Sequence, residues 1–123
     1  MKEKLESFKN YIIRILNELE ADLKKNEMEW IEKKGVFKSE GYVYKENINA
    51  FENEIKSVQK TREIIQKIDI SDFDNVSDLK ARIISELEDL YDRSVLMRSG
   101  VNLVIKHINR ISESSLPEIK VEK

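Results

Sequence analysis

Apolar residues in the first quarter of the chain recur in steps of three and four: Leu5, Phe8, Ile12, Ile15, Leu19, then Leu23 and Trp30, with Leu16 widening the stripe. Steps of this size put side chains on one face of an α-helix, and they predict a first helix over residues 3–34. Gly35 is suited to stop it, because helix C-termini favour the left-handed conformation that glycine adopts, and Lys33 and Lys34 suit the negative end of the dipole. Residues 35–45 (GVFKSEGYVYK) break the helical period and read as a loop or small hairpin. A second stripe of Ile48, Phe51, Ile55, Val58, Ile65 and Ile68 predicts a helix over 46–68, with Asn49 and Glu52 as a capping box near its start.

Residues 69–75 (DISDFDN) gather the small polar acceptors that favour turns and helix N-caps, so Asp74 or Asn75 is expected to open the last helix, with Phe73 as its hydrophobic staple. From there a heptad register places Val76, Ile83, Leu90, Met97, Val104 and Ile111 at d and Leu87, Val101 and Ile108 at a, as in a coiled coil. The register passes Ser99 and Gly100 without a slip and predicts one continuous helix over 75–113, although an interior glycine costs about 1 kcal/mol relative to alanine. Pro117 ends whatever precedes it and leaves 117–123 as a flexible tail.

The expected fold is therefore all-α, a single domain over 1–116 built as an antiparallel up-down-up three-helix bundle. The helix lengths do not match. If helices 1 and 2 end level with one another, residues 98–113 project on the order of 20 Å beyond them. That projection is apolar on several faces, with Val95, Leu96, Val101, Leu103, Val104 and Ile105, and a helix apolar nearly all round is a buried one. Two coverings are expected: an internal one by Phe37, Tyr42 and Tyr44 of the loop, and an external one by a symmetry mate or partner helix, a dimer being favoured. Val95, Leu96, Val101, Leu103, Ile105, Phe37, Tyr42 and Tyr44 are thus the candidate partner-binding residues.

Composition narrows the chemistry. With 22 basic and 24 acidic residues the net charge is −2, which gives no broad field for attracting a polyanion. The region 24–45 nevertheless interleaves Lys24, Lys25, Lys33, Lys34, Lys38 and Lys45 with Trp30 and other aromatics, the arrangement a single-stranded nucleic-acid site needs; Glu27, Glu29, Glu32 and Glu40 nearly cancel its charge. The absence of cysteine excludes disulfides, thiolate metal sites and cysteine catalysis and fits a cytoplasmic chain. No apolar run is long enough to span a bilayer, and Met1 to Lys4 lead into an amphipathic pattern without a signal-like apolar block. Sixteen Ile, 16 Lys and 17 Glu against 2 Gln is a bias shared by hyperthermophile proteins and, for Ile and Lys, by AT-rich genomes.

His107 is the sole histidine, which rules out a multi-histidine metal site within one chain. Acid pairs three residues apart, Glu29 with Glu32 and Glu86 with Asp89, are the spacing by which helical bundles hold magnesium. Glu86 and Asp89 fall at g and c, however, and no acid occupies an a or d site. Three glycines leave no room for a phosphate-cradling loop or a nucleophile elbow. Neither a catalytic residue nor a cofactor is expected. Arg62, Asp22, Asn26, Lys80 and Ser94 interrupt their stripes, with Glu18 the expected neighbour of Arg62; snorkelling of the long side chains to water is the favoured reading over a buried register-fixing pair. The functional expectation is a non-enzymatic interaction module, with a nucleic-acid accessory protein second and a carboxylate-metal hydrolase third.

Overall fold

The computed structural model describes residues 2–34 and 41–111, with side chains for 2–32 and 46–111. Among these residues the regular structure is all helical: α1 (Lys2–Lys34), α2 (Gly41–Gln66), α3 (Val76–Arg93) and α4 (Arg98–Asn109), with single 3-10 turns at Ile70–Asp72 and Val95–Met97. The helix over α1 follows the expected bounds to within one residue. The second helix does not, for it starts at Gly41 rather than 46. Residues 41–45 are therefore its first turn and not part of a hairpin, and Asn49 and Glu52 lie in its interior rather than at a cap. The β-preference of the Tyr-Val-Tyr run is a weak bias that a helical neighbour overrides.

The larger correction concerns the last helix. The helix expected over 75–113 is interrupted after Arg93, and residues 112–113, like the expected tail 117–123, lie outside the described residues. Asn75 caps α3 as expected, its side chain accepting from the Asp78 amide at 2.8 Å. Ser94 then turns extended (φ −134°, ψ 102°), and after the 3-10 turn the chain runs back as α4. The reversal is antiparallel: Arg98 reaches the carbonyl of Tyr91 at 2.9 Å near the turn, and Lys80 reaches that of Ile111 at 2.8 Å at the other end. Of the apolar stretch expected to project, Val101, Val104 and Ile108 are thus covered by their own chain, while Val95 and Leu96 stay exposed on the turn. Neither the loop nor a second molecule is needed to cover those three. Val101, Val104 and Ile108 are buried against α2 and α3, and of the six d positions five are buried while Met97 packs half-buried against the core.

Side chains crossing between helices fix the rest of the topology. Lys9 donates to the carbonyls of Gln66 (3.0 Å) and Ile68 (2.8 Å), and Glu20 meets Gln59 and Arg62, so α1 and α2 are antiparallel. Lys9 at the end of α2 and Lys80 at the end of α4 act alike, each a cation donating to last carbonyls that have no helical partner. α2 packs chiefly on α1 and α4, and α4 on α2 and α3, giving the cyclic order α1-α2-α4-α3 around one core.

α4 approaches α2 closely at Gly100. A Cβ on Gly100 would collide with the Cβ of Ser57 and sit 2.7 Å from its Oγ and 3.1 Å from the Glu54 carbonyl. The fully buried Ser57 hydroxyl is shared between the carbonyls of Asn53 (2.7 Å) and Met97 (3.2 Å), and Thr61, also fully buried, donates to Val58 at 2.9 Å. Small polar residues let the two backbones approach while their hydroxyls stay satisfied. Two effects oppose one another for Gly100→Ala: helix propensity favours alanine by about 1 kcal/mol, and overpacking disfavours it by about 1–3 kcal/mol. The colliding atoms are a Cβ and a main-chain oxygen, which cannot swing aside, so overpacking wins. Denaturant unfolding of Gly100→Ala should show a net loss of roughly 1–2 kcal/mol, partly restored by Ser57→Gly in the double variant; additive losses would mean that the two residues do not touch.

Candidate functional site

α1 has 33 residues and α2 has 26, whereas α3 has 18 and α4 only 12. Ser57 lies against Met97, and Glu54 accepts from Ser99 at 2.9 Å, so the short hairpin of α3 and α4 reaches only the level of residues 54–57 of α2. Residues 41–53 of α2, with the last turns of α1 beside them, continue past it by about 20 Å at 1.5 Å per residue. The projection expected of the last helix is absent; among the described residues it is α1 and α2 that outrun the hairpin of α3 and α4. A step is left where the short pair ends.

Just below the step a charged cluster ties α1 to α2. Glu20 accepts from Arg62, from Gln59 at 2.7 Å and from Lys24 at 3.0 Å, while Arg62 also donates to Asn17 at 2.9 Å. The partner of Arg62 is therefore Glu20 and not Glu18, which is exposed, and Arg62 is held in a network rather than snorkelling free. Burial by itself would raise the Glu20 pKa. The three donors outweigh it and hold the carboxyl down at about 2, against an ordinary 4.5. Asp69, at the cap of the 3-10 turn, is lowered as well, by the Ser71 amide and hydroxyl at 3.0 and 2.8 Å.

The expected partner-binding residues separate. Val95 and Leu96 stand on the turn between α3 and α4 and are each 71% exposed, the most open large apolar side chains among those described. Val101 is fully buried in the core and offers nothing to a partner, while Leu103 and Ile105 are half-buried and Ile105 packs against the core. Phe37 lies outside the described residues, and Tyr42 and Tyr44 are placed only as backbone of α2. The basic set is no more compact. Lys24 is engaged by Glu20, Lys25 is exposed, and Trp30 is half-buried rather than open for stacking. Lys33, Lys34 and Lys45 are placed as backbone of α1 and α2, and Lys38 is outside the described residues.

The acid pairs are dispersed. Glu29 and Glu32 are exposed, Glu86 pairs with Arg82 at 2.8 Å, and Asp89 with Arg93 at 3.1 Å. Among the described residues no three acids or histidines come close enough to hold a metal ion, and no helix is long and apolar enough to cross a membrane. The groove between α2, the first 3-10 turn and α3 is open and charged, with Lys67, Asp69, Asp72, Arg82 and Glu86 on its walls. Comparison with protein-family models, with curated proteins and with solved structures finds no match for the chain. The physical surface is thus what the functional reading rests on.

Sequence pattern missed the step and the Glu20 cluster, and of these the cluster had a visible signal, since Arg62 breaks an apolar stripe; the close backbone approach that Gly100 permits was legible, but its partner is α2 of the same chain rather than a second molecule. The cluster also makes a prediction. A carboxyl whose pKa is depressed on folding contributes stability that is complete above its unfolded value and is lost as pH falls through the folded one. Stability should therefore decline between about pH 4.5 and about pH 2 through Glu20, and Glu20→Gln should flatten that branch while costing about 1–3 kcal/mol at pH 7. Urea unfolding of both proteins across this range is the check; parallel pH profiles would mean that Glu20 is not the titrating group.

Proposed function

We propose that this chain is a non-enzymatic protein–protein interaction module, an adapter or small subunit of a larger assembly. One observation carries the reading: Val95 and Leu96, adjacent and 71% exposed, are presented on a turn while eighteen other apolar side chains are buried in a single core. Exposing two neighbouring aliphatic side chains forfeits about 1.5–3 kcal/mol each relative to burying them, and a partner recovers it. Arg98 ties the two ends of the turn together. Arg98 donates to the Tyr91 carbonyl and lies 5.0 Å from the centre of the Tyr91 ring, bracing the two helix ends from which the pair projects. Cytoplasmic residence belongs to the same proposal and rests on the cysteine-free sequence.

A photo-reactive amino acid at position 96, with the same group at exposed Glu6 on α1 as control, tests the reading in the native host. Adducts, to the chain itself or to another protein, are expected from 96 and not from 6. Equal labelling from both, or none from either, overturns it.

A further inference from the structure

We draw no further inference here: the strongest candidate, the exposed Val95 and Leu96 pair on the turn with the groove lined by Tyr91 and Ile105 between α3 and α4, carries nothing beyond the interaction-module reading, because the acids Asp89 and Asp92 beside it are matched by Arg93 and Arg98 and nothing in the structure shows what covers it.

Discussion

The close approach of α4 to α2 at Gly100 governs the architecture, because it is what allows residues 98–111 to return to the core. With the two backbones separated by a glycine on one side and a serine on the other, Val101, Val104 and Ile108 reach the interior between α2 and α3. Burying three such side chains is worth on the order of 5–8 kcal/mol. The reversal sacrifices a few helical hydrogen bonds at Ser94 to Met97, each worth about 1 kcal/mol net, and one of the freed acceptors, the Tyr91 carbonyl, is taken up by Arg98. A straight helix would keep those bonds and leave the three side chains in water. Folding back wins because the burial outweighs the lost bonds.

The heptad pattern encodes the inward faces of these helices but not the path of the chain between them. Val76, Ile83, Leu90, Val104 and Ile111 occupy inward-facing positions of the register and are buried. Periodicity reports the azimuth of a side chain about its helix, and azimuth says nothing about whether the helix axis continues or reverses. Since the register happens to stay in phase across the turn, the reversal leaves no slip to detect; the one local sign is Ser94, a polar residue in an a position with apolar residues crowding several faces beyond it. The pairing of Arg62 with Glu20 rather than Glu18 has a similar cause. Which turn of α1 lies level with a given turn of α2 is set by the connection and by packing, neither of which a single helix's stripe contains.

The dispersal of chemistry over the surface follows from how the inner faces are used. Apolar stripes occupy the side of each helix that faces the others, so the many acids and bases are left to pair along their own helices, as Arg82 with Glu86, Arg93 with Asp89 and Lys60 with Glu63 do. Such exposed pairs contribute a few tenths of a kcal/mol each and hold carboxylates apart rather than converging them on a common centre. The exception is Glu20, where polar side chains from two helices meet in a partly buried seam. Its donors suppress protonation, making it a fixed negative charge and a poor proton donor or acceptor near neutral pH.

That fixed charge sits where it has most mechanical leverage. Below it the register of α1 on α2 is held by the buried Phe8, Ile12, Leu16, Val58 and Ile65, whereas above it Trp30, Ile48 and Phe51 are only half-buried. The Glu20 cluster adds a directional constraint to that register: a one-turn shift moves Glu20 about 5 Å from Arg62 and Gln59 together and leaves a partly buried charge with Lys24 of its own helix as its one remaining donor. The cluster therefore fixes the level at which the extension leaves the bundle, and with it the height of the step.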